Sequence, residues 1–237
     1  MDKKEKHLLF FSGGIDSTTL LEYFLKKSDI DLYVCHLSNG FTPMCAEYYD
    51  VQTKHAHRIL DVYKKKGYQF KLLEGKIQFN FLGELGEKDK PGINNDRWIF
   101  FFAGMICKRN NIKKFWVAAN SYTDHFLKQE GLGTSVWYED GSLIPYVKLG
   151  FQMENCPTEL TFEDIELCYP RKNFNRTGID NFHQVEMYNY IEKEVRPLVR
   201  SCESHLMHYR CSESPYCVKC HKDIQSGVAN LKGELII

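Results

Sequence analysis

Short apolar runs alternate, through Ala119, with stretches whose apolar positions recur every three or four residues. Leu8-Leu9-Phe10-Phe11 is a continuous apolar run, the pattern of a strand buried on both faces. Ser17 to Lys27 follows as a helix, with Leu20, Leu21, Phe24 and Leu25 on one face. Asp31 to Leu37 reads as a second strand and Ala46 to Lys66 as a long helix. Three lysines, Lys64 to Lys66, face the negative end of that helix's dipole, and Gly67 is its C-terminal cap. Tyr68 to Leu73 is a third strand, Trp98 to Arg109 an apolar helix with Asp96 as N-cap, and Phe115 to Ala119 a fourth strand. Strands alternating with helices predict βαβ units. The expected fold is α/β, a doubly wound and mostly parallel sheet.

The second half is less regular. Asp140-Gly141, between Val136-Trp137-Tyr138 and Leu143-Ile144, reads as a hairpin turn. Thr161-Phe162-Glu163-Asp164 resembles a capping box opening a short helix. Asn181 to Val195 reads as a helix stopping near Pro197, and Lys219 to Leu231 as a last helix. No internal repeat or low-complexity linker interrupts the chain. The expected organisation is a main domain over 1–200 and a cysteine-bearing segment over 201–237 within the same globular unit.

The chain has 237 residues, 43% of them hydrophobic, and a net charge of zero from 31 basic and 31 acidic side chains. That balance lacks the broad positive field of a protein that holds nucleic acid through its phosphates, so a large RNA or DNA ligand is disfavoured. The Leu8–Phe11 run is too short for a signal-peptide core, and Trp98–Cys107 is about half of the ~20 residues a membrane helix needs. A cytoplasmic protein with no membrane partner is expected. Nine cysteines without a secretion signal argue against a disulfide framework.

Ser12-Gly13-Gly14-Ile15-Asp16-Ser17 lies between the first strand and the first helix. Glycines let backbone N–H groups approach a phosphate, and the helix adds its positive end. Ser12, Ser17 and Thr18 offer hydroxyls. Asp16 does not favour a bare polyphosphate, so it is expected to act through Mg²⁺ or by fixing the loop. The motif lacks the Gly-Lys-Ser/Thr ending of a Walker loop and is not a dinucleotide fingerprint.

Cys202, Cys211, Cys217 and Cys220 fall within nineteen residues and end in a Cys-x-x-Cys knuckle. That set suits tetrahedral zinc, one ion per chain, closed and structural rather than catalytic. His205, His208 and His221 are close enough in sequence to compete as ligands. Two other readings stay open, four reduced cysteines packed as small hydrophobes and an iron–sulfur or redox site.

SGGIDS after a buried strand resembles the PP-loop of the N-type ATP pyrophosphatases, whose fold is adenine nucleotide alpha hydrolase-like. Joined to Ser201-Cys202, Cys211 and Cys217–Cys220, with Gly40 after the second strand and Asn120 after the fourth, it resembles the 7-cyano-7-deazaguanine synthase (QueC-like) family. The resemblance implies that the loop holds the pyrophosphate of ATP with Mg²⁺, that Leu37 and Ser38 meet adenine, and that zinc sits beside the site. It implies a ligase, part of queuosine-type 7-deazaguanine biosynthesis, that adenylates 7-carboxy-7-deazaguanine and uses ammonia to make the nitrile. The chain departs from the family at Gly40-Phe41-Thr42-Pro43, at Asn95-Asp96-Arg97, at Gln184, and in about thirty residues around Cys156 to Gly178 that read as inserted.

The candidate residues are therefore Ser12, Asp16, Ser17 and Arg97 for catalysis, with Arg97 as the cation for a carboxylate. Nucleotide contacts are expected from Ser12, Gly13, Gly14, Ile15, Asp16, Ser17, Thr18, Leu37, Ser38, Ala119 and Asn120. His55 and His57 read as surface residues, and Phe100 to Phe102 as core. Rival readings are a QueC-like enzyme joining a carboxylate to a protein or nucleotide acceptor, a tRNA-thiolating enzyme, and an ATP sensor without turnover. Association into a homodimer is left open.

Overall fold

The computed structural model describes residues 4–40, 43–78, 95–118, 143–168, 187 and 189–199. Their elements run β1 (Glu5–Phe10), α1 (Ile15–Leu25), β2 (Ile30–Gly40), α2 (Pro43–Lys65), β3 (Lys71–Gln78), α3 (Asn95–Asn110), β4 (Lys114–Val117), α4 (Ile144–Met153) and β5 (Glu166–Cys168). The five strands form one sheet in the order β3-β2-β1-β4-β5. β1 and β4 are parallel, with His7 opposite Lys114 and Phe10 opposite Val117, and β4 is parallel to β5. Glu5 N–H donates to Asp29 O and Phe11 N–H to Cys35 O, so residue numbers also rise together along β1 and β2. The expected α/β class with a mostly parallel sheet is what forms. The strand order grows in one direction from β1 to β3 and then resumes on the other side of β1. In open α/β sheets such a reversal places the ligand crevice outside the carboxyl ends of the strands.

The chain divides into two compact units. The first comprises Met1–Phe10, Asp29–Tyr33 and Pro91–Asn181. Leu8 and Leu9 are fully buried and Phe115 nearly so, which explains the unbroken apolar run of β1. α3 and α4 meet backbone to backbone. A Cβ built on Gly104 would lie 2.0 Å from Val147 O, and one on Gly150 only 1.9 Å from Phe101 O. Lys108 Nζ donates to Glu154 O, and Arg109 pairs with the Glu154 carboxylate, closing the end of this contact.

Two expectations are corrected here. Leu143-Ile144 is not the second strand of a hairpin; Leu143 is a buried turn residue and Ile144 opens α4. Pro145 fits the first helical turn, where a missing N–H costs nothing, and Val147, Gly150 and Phe151 recur at helical spacing on the buried face. Asp96 lies inside α3 rather than capping it, because the helix already begins at Asn95. The segment read as inserted supplies β5, whose Glu166 N–H donates to Lys113 O beside β4. The Thr161 capping box does form, with Thr161 N–H and Oγ1 both donating to Asp164 Oδ2, but it opens a single 3-10 turn.

The second unit comprises Phe11–Ser28, Val34–Lys90 and Phe182–Ile237. α2 ends as expected at Gly67, whose φ is +88°. Gly67 N–H donates to Lys64 O and Tyr68 N–H to Tyr63 O, the two bonds of a Schellman cap. That cap consumes Gly67 and Tyr68, so β3 starts at Lys71 rather than Tyr68. The Glu22 side chain of α1 is fully buried yet fully engaged. It accepts from Tyr63 Oη at 2.7 Å, Lys26 Nζ at 2.6 Å and Glu192 N–H at 2.8 Å. Burial works against the Lys26 charge, but the Glu22 carboxylate holds that ammonium above its usual range. The Glu22 contacts tie α1, α2 and the 187–199 segment together. That segment is helical at Met187, Asn189 and Tyr190, and ends in a 3-10 turn over Arg196–Leu198.

Candidate active site

The chain leaves the sheet at Phe11 and turns through Ser12-Gly13-Gly14 directly into α1. Two observations show why the loop needs its first glycine. Gly13 has φ +80°, a conformation L side chains rarely adopt, and a Cβ there would lie 3.2–3.3 Å from Ala56 N, Cα and Cβ on α2. Gly14 is different. Its φ of −78° and ψ of 168° are open to any residue. As the N-cap it brings no side chain, so the first-turn N–H groups of α1 are not capped from that position. A helix end left in this way, beside a tight glycine turn, is where an anion binds well.

Hydroxyls close the turn. Ser12 N–H donates to Ser17 Oγ (3.3 Å), and the two serine Oγ atoms are 3.0 Å apart. Gly14 N–H donates to Ser12 Oγ, while Ser17 Oγ donates to Gly14 O. One proton assignment satisfies all four contacts, with Ser12 Oγ–H donating to Ser17 Oγ. Ser17 therefore shapes the loop from the inside, and its side chain is buried. Ile15 and Thr18 are fully buried as well, and Thr18 Oγ1 has no hydrogen-bond partner among the described residues. Any contact from Ile15 to a ligand is through backbone. Ser12 is exposed, and Asp16, Leu37 and Ser38 are half-buried, so these four present side-chain atoms at the surface of the unit. Asp16 lies in the first turn of α1, where a carboxylate is electrostatically favoured.

β2 and α2 buttress this turn. Leu37 lies over Gly75 of β3, where an added Cβ would stand 2.9 Å from Leu37 Cδ2, and Ser38 Oγ reaches Gly75 O at 3.5 Å. His36 is buried, with Nδ1 2.8 Å from Phe11 O and Nε2 3.1 Å from Thr53 Oγ1. Its ring centroid is 5.8 Å from that of His57, which pairs with Glu74 on β3. Burial lowers the His36 pKa, against the opposing hydrogen bond to Phe11 O. Burial pushes the Cys35 thiol up to about 12, so that cysteine is a packing residue and not a nucleophile.

The structure thus brings Ser12 to Thr18 together with Leu37 and Ser38 in one unit. Arg97 is the third residue of α3, and its side chain lies outside the described residues, as do Ala119, Asn120, Asp140, Gly141 and the four cysteines Cys202, Cys211, Cys217 and Cys220. Among the described residues no group of three or more His, Cys, Asp or Glu is placed to hold a metal, and no helix is long and apolar enough to cross a membrane. Sequence reasoning missed His36, Thr53 and Ala56. The available signal was one polar ring inside the apolar run Leu32-Tyr33-Val34-Cys35-His36-Leu37.

No protein-family model matches the chain, and no curated protein does. Among solved structures it aligns with the U34-tRNA thiolase NcsA from Methanococcus maripaludis, determined with its 4Fe-4S cluster. The identity is 14%, the alignment covers 97% of this chain and 83% of that one, and the TM-score is 0.34. A likeness of that degree carries neither the activity nor the cluster over to this chain.

Proposed function

We propose that the chain is an ATP-dependent ligase that adenylates a carboxylate, of the 7-cyano-7-deazaguanine synthase type. The observation that carries the ATP half is the loop. Ser12-Gly13-Gly14 turns at the carboxyl end of the central strand, with Gly13 at φ +80° and α1 starting at once behind it. Such a turn suits the pyrophosphate leaving group, because aligned N–H dipoles stabilise charge as it develops there. The donor set fits Mg²⁺–ATP, with a hydroxyl from exposed Ser12 and a carboxylate from half-buried Asp16 in the first turn of α1. Bound magnesium would neutralise phosphate charge; the loop holds and orients the chain of phosphates.

The carboxylate half rests on the resemblance of loop and cysteine set to the QueC-like family. In that reading a carboxylate oxygen attacks the α-phosphorus and pyrophosphate leaves. Ammonia nitrogen then attacks the acyl carbon and AMP leaves, giving the amide. A second adenylation, at the amide oxygen, ends with loss of AMP and a proton to give the nitrile. Arg97 is the proposed partner of the substrate carboxylate, and Leu37, Ser38, Ala119 and Asn120 the proposed nucleotide contacts. Cys202, Cys211, Cys217 and Cys220 are proposed to hold one structural zinc.

The test is AMP release from full-length protein given ATP, Mg²⁺, ammonium and 7-carboxy-7-deazaguanine, with mass analysis of the product. A nitrile supports the parent activity. The second reading, ligation of the activated carboxylate to a protein or nucleotide, is favoured by the altered substrate-side residues and by the inserted segment around Cys156 to Gly178, of which Glu166–Cys168 forms strand β5. AMP release without nitrile, or only with an added acceptor, moves the assignment there. AMP release with tRNA and not with the deazapurine acid rejects the substrate. ADP with no AMP rejects the chemistry.

A further inference from the structure

We propose that His36 is a positioning residue for the phosphate loop, gripping the Phe11 carbonyl through a protonated Nδ1 while Thr53 fixes that tautomer. The inference deepens the nucleotide-binding reading of the same loop and rests on it for its functional consequence. The geometric argument begins at Phe11, which is buried and is the last residue before the turn. Its N–H is taken by Cys35 O at 2.8 Å, and its carbonyl by the side chain of the next residue, His36, at 2.8 Å. Two adjacent residues of β2 therefore clamp both polar groups of Phe11.

The clamp has a directional effect. No peptide bond among the described residues is cis. In a trans peptide the carbonyl and the following N–H point in opposite directions. Anchoring Phe11 C=O on His36 aims the Ser12 N–H the other way, onto Ser17 Oγ at 3.3 Å. That bond is the first of the contacts that close the loop. A carbonyl only accepts, so Nδ1 must carry a proton. In the neutral ring Nε2 is then an acceptor, and Thr53 Oγ1 donates to it. Thr53 is three residues before Ala56, so one face of α2 both supports Gly13 and sets the His36 tautomer. A hydrophobic residue at position 36 would fill the strand equally well, yet it would leave a buried carbonyl unpaired.

The experiment uses the full-length chain and three variants. Asparagine places its amide nitrogen near the position of Nδ1, glutamine near that of Nε2, and leucine supplies neither. His36→Leu and His36→Gln should raise the KM for ATP about tenfold or more, the scale set by orphaning one buried carbonyl. His36→Asn should return it to within about threefold of wild type, with the same amide protection over Ser12 to Ser17. Nitrogen-15 spectra of the wild-type ring should place the proton on Nδ1. A proton on Nε2 overturns the proposal. So does a leucine variant with wild-type KM and amide exchange, or an asparagine variant no better than leucine. Should the variants misfold, the wild-type ring spectrum and loop exchange still decide. Wild-type protein that does not bind ATP would overturn the nucleotide reading instead, while the ring spectrum and the exchange of the apo loop would still judge the role of His36.

Discussion

Gly13→Ala adds one methyl group where two separate penalties meet. The first is conformational. At φ +80° an L side chain is held in a region costing roughly 1–2 kcal/mol. The second is steric. The new Cβ would sit 3.2–3.3 Å from three atoms of Ala56, two of them α2 backbone that does not move as a side chain does. Overpacking of this kind costs about 1–3 kcal/mol. Together they amount to ~2–5 kcal/mol against the native loop. Gly14→Ala carries no conformational penalty, since φ −78° and ψ 168° suit alanine, and it should destabilise less than Gly13→Ala. Both variants should weaken ATP binding, the first by misshaping the turn and the second by crowding the site of phosphate approach. The assay pairs urea unfolding midpoints with calorimetric ATP titration. A Gly13→Ala protein with the wild-type midpoint and wild-type ATP affinity would refute the reasoning. So would equal destabilisation by the two alanines, because the structure assigns only one of these glycines a structural necessity.

Four more outcomes are expected. Gly150→Ala should cost about 3 kcal/mol or more, because its Cβ would overlap Phe101 O and force α3 from α4; a midpoint shift under ~1 kcal/mol would show the crossing is looser than described. Tyr63→Phe removes one of three donors from the buried Glu22 carboxylate and should destabilise by ~1.5–3 kcal/mol in the same assay; an unchanged midpoint would contradict the role of that contact. Burial lowers the pKa of His36, and of His7 despite the opposing Glu5 carboxylate, so the unfolded chain binds more protons just below pH ~6.5 and stability should fall from there toward pH 5.5; a flat or rising midpoint would be the contrary result. Metal analysis should find one zinc per chain, lost in Cys217→Ser and kept in Cys156→Ser; Cys35 is no control, being buried in β2.

Much of the fold was legible because its central elements are long and their periods unambiguous. β1, β2, α1, α2, α3 and β4 each announce themselves by an apolar run or a helical stripe, and the Gly67 cap by its lysines. What stayed hidden was decided by partners. β5 is three residues, Glu166-Leu167-Cys168, with no run of its own; only the edge of β4 makes it a strand. α4 begins at the apolar pair read as a strand. Its buried face, Val147, Gly150 and Phe151, runs through a glycine, and the contact of Gly150 with Phe101 of α3 is what that glycine serves.

The same division holds inside the site, and there it decides what a substitution means. The sequence places two glycines side by side with equal claims on a phosphate. Backbone geometry separates them, making Gly13 the residue the fold cannot replace and Gly14 the one that leaves the helix end open. Ser17 read as a ligand donor, yet its hydroxyl is buried and spends both its accepting and donating capacity on Ser12 and Gly14. Changing it should therefore affect the proposed binding indirectly, through the loop, whereas changing exposed Ser12 would remove a loop contact together with a hydroxyl at the surface of the unit. His36 carries the argument one layer further out. Nothing in a strand pattern reveals that one ring nitrogen faces the carbonyl preceding the turn. The shape of the loop thus depends on residues of β2 and α2 outside the SGGIDS motif, and on the proposed nucleotide reading these positions should govern how well an intact motif binds.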